Sequence, residues 1–220
     1  MIGERPPRSV VPRFGGQIIC LARSFRRHAE ELGNAVPQAP LYFLKSTSAV
    51  IGPGEAIRLP PESAMVHHEA EVAVVVGAPL RHATLAAAEG AIAGWTLLND
   101  VTARDLQKAD GGRFTRAKGF DTFCPLSDVR LPAALDWRAS RVQCRVNRVL
   151  RQDGALADLL WTPAEVLVAI SAVMTLWPGD LVSLGTPEGV GPLVDGDEVE
   201  VRLVGAAGET LLSLSNPVRR

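Results

Sequence analysis

The chain has 220 residues, one large domain or two small ones at roughly 100 to 200 residues per domain, with 47% apolar and 21% charged residues, a globular rather than disordered or fibrous composition. Its 23 Lys and Arg nearly balance 24 Asp and Glu, and a net charge of -1 leaves no basic footprint for nucleic acid. The cysteines Cys20, Cys124 and Cys144 are far apart and form no Cys-x-x-Cys pair, which excludes a zinc-ribbon or dithiol motif and fits reduced thiols in the cytoplasm.

Residues 1–16, opening Met1-Ile2-Gly3-Glu4-Arg5-Pro6-Pro7, lack the apolar stretch of a signal peptide and read as a flexible leader to a single domain over residues 17–220. No later apolar run reaches the roughly 18 residues that span a bilayer, so no membrane partner is expected. Gln17 to Leu21 reads as a strand and Arg26 to Leu32 as a short helix stopped by Gly33-Asn34. Leu41 to Leu44 is the next strand. Glu69 to Gly77, Glu-Ala-Glu-Val-Ala-Val-Val-Val-Gly, is expected to be a strand with a buried Val-rich half and an exposed polar half. A helix follows over Thr84 to Gly90 with Thr84 as N-cap, then a strand over Ile92 to Leu98 that runs into Asn99-Asp100. Pro163 to Met174 has Thr162 as N-cap, Pro163 at the first helical position and Glu165 placed for a capping box. The last third is β-rich, with strands at Leu181 to Leu184, Glu198 to Val204 and Thr210 to Leu214 separated by Gly- and Asp-containing turns. Strands outnumber helices without alternating with them, which predicts a mixed α+β, β-rich and largely antiparallel fold with peripheral helices.

Glu69 and Glu71 are two apart in a predicted strand, so their carboxylates project from one face. With Asp100 at the end of another strand they form an all-oxygen set suited to a hard divalent cation, while a Glu-x-Glu pair alone more often only solvates a strand end. His67 shares that face by alternation and His68 points away; a two-His, one-carboxylate iron site is a rival short of a second histidine, and both are expected to be structural or to support the ligands rather than to bind the metal. His28 and Glu31 are three apart in the first predicted helix and are either an oriented base or part of a charged outer face. Arg104 offers a bidentate fork for a carboxylate, and Lys118 a positive charge for an enolate, unless both are surface ion pairs. The loop Gly185-Thr186-Pro187-Glu188-Gly189-Val190-Gly191 lacks the Gly-Lys-Ser/Thr of a nucleotide-binding loop.

Five segments in order, Phe43-Leu44-Lys45, His68-Glu69-Ala70-Glu71, Asn99-Asp100-Val101-Thr102-Ala103-Arg104-Asp105, Lys118-Gly119-Phe120-Asp121 and Gly185 to Gly191, closely resemble the fumarylacetoacetate hydrolase family. The likeness runs from about Ile18 to Leu214 and is greatest to its short acylpyruvase and oxaloacetate decarboxylase-like members. It implies the C-terminal-domain fold of that family, with a mixed β-roll core, and a homodimer. It also implies Mg²⁺ or Mn²⁺ held by Glu69, Glu71 and Asp100, and a small 2-oxo acid contacted by Arg23, Lys45, Arg104 and Thr186. His28 and Glu31 map to a lid that activates water, and Lys118 and Gln107 to groups that stabilise developing charge. Two departures stand out: Ala22-Arg23-Ser24-Phe25 replaces Gly-Arg-Asn-Tyr, and Ser46 replaces a proline after Lys45. The expected activity is cleavage of a carbon-carbon bond in an acylpyruvate. The alternatives are decarboxylation or isomerisation of a 2-oxo dicarboxylate in aromatic catabolism, or metal binding without catalysis.

Overall fold

The computed structural model describes residues 16–25, 37–128 and 130–220. The expected leader, apart from Gly16, and the expected helix with His28 and Glu31 lie outside the described residues.

Strands dominate, as the pattern predicts. A six-stranded sheet runs in the order β10 (Leu131–Pro132), β7 (Ile92–Asn99), β6 (Ala70–Val76), β13 (Leu181–Ser183), β1 (Ile18–Ala22) and β2 (Leu41–Lys45). A five-stranded sheet runs β12 (Val149–Ala155), β11 (Arg141–Val146), β15 (Glu198–Val204), β16 (Thr210–Arg219) and β4 (Ile57–Arg58). Two small ribbons complete the set: β14 (Gly191–Pro192), β5 (Val66–His68) and β8 (Thr102–Ala103), and β3 (Val50–Ile51) with β9 (Cys124–Pro125). Pairing is antiparallel except for β1 with β13, β3 with β9 and β4 with β16.

The two large sheets face each other, with β11 against β6 and both β15 and β16 against β7. Val72, Val74, Leu97, Val142, Cys144, Val201 and Leu203 belong to one hydrophobic cluster that joins them. Each such side chain contributes roughly 1.5–3 kcal/mol on full burial. That reserve offsets the several kcal/mol per ion, in order of magnitude, that burying charge costs in the same sheet. Four helices lie among the described residues: α1 (Leu85–Gly90), α2 (Arg104–Ala109), α3 (Thr115–Lys118) and α4 (Pro163–Ser171). Thr84 caps α1 by accepting from Ala87 N, and α4 has the full capping box of Thr162 and Glu165. Among the described residues no helix is long and apolar enough to cross a membrane.

Three details differ from expectation. The strand expected from Glu69 starts at Ala70, and its polar end is buried, with Glu69 5% and Glu71 1% exposed. The pleat breaks at Glu69 because β5 pairs with β8 and β14, whereas β6 pairs with β7 and β13, so alternation does not carry across it. Helix α4 stops at Ser171, three residues short of Met174, and the following residues close a turn. The hairpin of β11 and β12 is absent from the expected strands, although Val142, Cys144 and Val146 alternate with polar residues up to a two-residue turn. Asn147 and Arg148 both take positive φ there, 51° and 68°, the signature of a primed hairpin turn.

Gly185 follows β13 at φ +88°, and a Cβ on it would lie 2.0 Å from Ser24 Oγ. Left-handed backbone alone costs a side-chain-bearing residue roughly 1–2 kcal/mol. Gly185→Ala should therefore lower the melting temperature, by about 2–4 °C per kcal/mol for a chain of this size. An unchanged thermal melt would show that Ser24 and the loop relax freely.

Candidate metal and substrate site

The antiparallel register of β6 and β7 sets Ala70 opposite Asn99 and Glu71 opposite Leu98, which brings the acidic end of one strand to the acidic end of the other. Asp100 N donates to Glu69 O at 2.8 Å, and Glu69 N donates to Asn99 Oδ1 at 2.9 Å, locking that crossing. From the far side β13 contributes Ser183, whose hydroxyl donates to Glu71, and β1 places Cys20 beside Ser183. Ligand atoms of Cys20, Glu71 and Asp100 all lie within 4.8 Å of one another.

Three cations meet the acidic groups. Lys45, at the end of β2, donates to Asp100 Oδ1 at 2.6 Å, to Lys118 O at 2.9 Å and to Val101 O at 3.4 Å. Lys118, at the end of α3, donates to Asp100 Oδ2 at 2.5 Å, Glu69 Oε2 at 2.8 Å and Thr102 Oγ1 at 2.7 Å, and its ammonium lies over the Phe43 ring. Arg104, opening α2, binds Glu69 through one terminal nitrogen and Gln107 Oε1 at 2.7 Å through the other. Each lysine thus has protein acceptors for its three N–H groups, and Lys45 serves to hold Asp100. The free donors nearby belong to Arg104, whose buried Nε has no hydrogen-bond partner among the described residues. Because Gln107 Oε1 accepts from Arg104, its amide N–H groups face away from that bond.

No cation among the described residues contacts Glu71. Burial pushes its carboxyl well above the usual range, and the charges of Asp100 and Glu69 add to this against weaker relief from Lys118 and Ser183. Burial works against the Lys118 ammonium, but Asp100 and Glu69 outweigh it and hold its pKa above the usual lysine value. Burial, and then Asp100 and Glu71, also raises Cys20, which stays a thiol. A buried carboxylate without a cation, beside a second carboxylate and near a third, fits a divalent ion, and oxygen donors select a hard one such as Mg²⁺ or Mn²⁺. The close group is Cys20, Glu71 and Asp100, whereas Glu69 is held by Arg104 and Lys118.

Thr186 sits in the loop after β13, buried, donating to Ala70 O at 2.9 Å. His68 is buried too, with Nδ1 2.9 Å from Gln152 Oε1, and burial lowers its pKa, so it is a neutral structural group. Arg23 takes left-handed backbone, φ 56°, and makes no hydrogen bond among the described residues. The structure therefore gathers Glu69, Glu71, Asp100, Arg104, Gln107, Lys45 and Lys118, ties Thr186 to Ala70 between the two glutamates, and gives Arg23 no hydrogen bond to the cluster among the described residues.

The two departures have structural explanations. Ser24 donates to Leu184 O at 2.5 Å, and Phe25 is buried and bridges to Leu159. Ser46 has φ -64°, the value a proline would impose, and its side chain accepts from Ser48 N. Sequence reasoning missed Cys20, Thr102, Gln152 and Ser183. Cys20 and Ser183 are legible only once β1 is known to pair with β13.

A carboxyl whose folded pKa is raised contributes stability while protonated, fully below its unfolded value near 4.5, and loses it as pH climbs through the folded value. Glu71→Gln removes the charge and keeps an acceptor for Ser183. Chelator-treated Glu71→Gln should thus melt above the unsubstituted protein at pH 8, by about 2–4 °C per kcal/mol relieved, while Mn²⁺ affinity in calorimetry falls. A lower melt together with unchanged Mn²⁺ affinity would contradict this account of Glu71.

Residues 17–219 match the family of the fumarylacetoacetate (FAA) hydrolase C-terminal region. The mitochondrial oxaloacetate tautomerase of Arabidopsis thaliana is 40% identical over 196 residues, 87% of this chain and 87% of that protein. The crystal structure of 5-carboxymethyl-2-hydroxymuconate delta-isomerase from Mycobacterium smegmatis superposes with a TM-score of 0.83 at 41% identity, covering 94% of this chain and 80% of that one. Fumarylpyruvate hydrolase from Pseudomonas aeruginosa, in complex with Mn²⁺ and pyruvate, superposes with a TM-score of 0.83 at 28% identity, covering 92% of this chain and 89% of that one. By its motifs, its fold and this match over nearly its whole length, the chain belongs to the fumarylacetoacetate hydrolase family.

Proposed function

We propose that the protein is a divalent-metal-dependent enzyme acting on a small 2-oxo acid through its enolate, with oxaloacetate keto–enol isomerisation as the first reading. The observation that carries the substrate class is the pairing of a buried carboxylate, Glu71, that meets no cation among the described residues with the Arg104 Nε donor, which has no hydrogen-bond partner among them, and the nearby Gln107 amide. One side suits a divalent ion and the other an anionic, oxygen-rich ligand.

Glu69, Glu71 and Asp100 would hold Mg²⁺ or Mn²⁺, and the ion when bound supplies a Lewis acid that polarises the 2-oxo group. Arg104 and Gln107 bind and orient the carboxylate and keto oxygens. Lys118 keeps its proton, because Asp100 and Glu69 hold its pKa up, and so offers a fixed positive charge to an enolate oxygen without acting as an acid. Lys45 keeps Asp100 in place. Isomerisation moves one proton between the carbon next to the keto group and the keto oxygen, with no bond to water. The likeness to an oxaloacetate tautomerase over 87% of both chains favours this reading.

A second reading is hydrolysis of an acylpyruvate, favoured by the likeness to a fumarylpyruvate hydrolase that binds Mn²⁺ and pyruvate. Water then adds to the distal carbonyl, the carbon-carbon bond breaks and pyruvate leaves with a carboxylic acid. His28, oriented by Glu31, is proposed as the base that activates this water. Loss of CO₂ from oxaloacetate would release the enolate of pyruvate, the same fragment that hydrolysis of an acylpyruvate releases.

Chelator-stripped protein is expected to be inactive and Mg²⁺ or Mn²⁺ to restore turnover. Enol-oxaloacetate consumption followed by absorbance, and pyruvate release from acetylpyruvate and fumarylpyruvate, separate the two readings. Acceleration of the first alone supports isomerisation, pyruvate release supports hydrolysis, and silence in both with metal bound would sink the proposal. Arg104→Lys keeps the charge but loses the fork, and should raise KM by about 10- to 100-fold, the worth of a charged hydrogen bond. An unchanged KM would remove Arg104 from substrate binding.

A further inference from the structure

Gln152 lies on β12, in the five-stranded sheet, and is 1% exposed. Its amide makes four hydrogen bonds, all that its two N–H groups and two oxygen lone pairs allow. Nε2 donates to Thr186 Oγ1 and to Pro187 O, each at 2.8 Å. Oε1 accepts from Ala70 N at 3.1 Å and faces His68 Nδ1 at 2.9 Å. The orientation of this amide is fixed by chemistry rather than by choice, because Ala70 N–H can only donate and Pro187 O can only accept.

That orientation sets the rest of the network. His68 Nδ1 must carry the proton, since the oxygen facing it is an acceptor. Thr186 Oγ1 accepts from Gln152, so its own proton goes to Ala70 O. The Thr186 hydroxyl is then left with one lone pair and no proton to give. The donor Thr186 can still offer a bound carboxylate is its backbone N–H, which has no partner among the described residues. Ala70 stands between Glu69 and Glu71, and Pro187 follows Thr186, so one side chain ties the metal-side strand to the substrate-side loop.

We infer that Gln152 is a positioning residue: it touches neither the reacting atoms nor the carboxylates, but sets the direction of Thr186 and the distance of its loop from the acidic strand. This rests on the functional reading above and on the contact of Thr186 with the 2-oxo acid that the family resemblance implies. A purely structural role would lower stability without coupling to Thr186. A positioning role makes the two residues non-additive in ligand binding.

The test is a double-mutant cycle read by calorimetric titration of the Mn²⁺-loaded full chain with pyruvate. Gln152→Met, of similar size and without hydrogen bonds, should weaken pyruvate by about tenfold, and Thr186→Val by a similar factor. The double variant should lose about the same factor as either single one and fall well short of their product. Should Gln152→Met fail to fold, Gln152→Glu keeps an acceptor for Ala70 N and His68 and serves in its place, with the same expectation. Unchanged pyruvate affinity in the Gln152 variant, or losses that multiply in the double, would overturn this inference alone. If the unsubstituted, Mn²⁺-loaded chain bound no pyruvate, the functional reading would fall and this inference with it.

Discussion

Three carboxylates share one small volume inside this protein, and their mutual repulsion has to be balanced before the strands that carry them can pair. Two unit charges 4.8 Å apart, the limit that spans Glu71 and Asp100, repel by roughly 3–4 kcal/mol at an effective dielectric near 20. The chain meets this with cations from three elements far apart in sequence: Lys45 from the edge strand, Arg104 from the helix after Asp100, and Lys118 from the next helix. Two of the three carboxylates are neutralised in this way. Glu71 meets no cation among the described residues, and burial pushes its carboxyl well above the usual range. A site that keeps one buried carboxylate short of a cation is built to gain from a divalent ion, and the protein is expected to be less stable without one.

The fold exists to bring those groups together. Pairing of β6 with β7 aligns two strands at their acidic ends, and the apolar cluster between the sheets holds that alignment against the charge it buries. Gly185 lets the loop after β13 turn tightly against Ser24, which places Thr186 over Ala70. Packing, turn geometry and site chemistry are therefore consequences of one register.

Much of this was legible from the amino-acid order, and the remainder was not for identifiable reasons. Glu69, Glu71 and Asp100 could be paired because strand ends and i, i+2 spacing are local signals. Their burial could not, since exposure at a strand end depends on what the neighbouring strand brings. The facing of His67 and His68 is read from alternation through Glu69, a weak guide where the chain changes strand partners. His68 is a buried, neutral member of a hydrogen-bond network, in keeping with a structural role. Gln152 was invisible for a related reason: nothing in Arg151-Gln152-Asp153-Gly154 distinguishes it from a surface polar run until the hairpin folds onto the first sheet. Thr84, Thr162 and Glu165, whose partners lie three residues away, are legible in the sequence because helix capping is local.

Isomerisation forms the enolate of the intact 2-oxo acid, whereas decarboxylation and hydrolysis release the enolate of pyruvate, and both enolates need the same acidic centre. The most direct test of that centre is anomalous diffraction at the manganese edge from crystals grown with Mn²⁺. A single peak bound by oxygens of Glu69, Glu71 and Asp100, with Lys118 displaced from at least one of its carboxylates, is the predicted result. A peak elsewhere, or none at saturating Mn²⁺ with the lysines still bound to Asp100, would contradict the account.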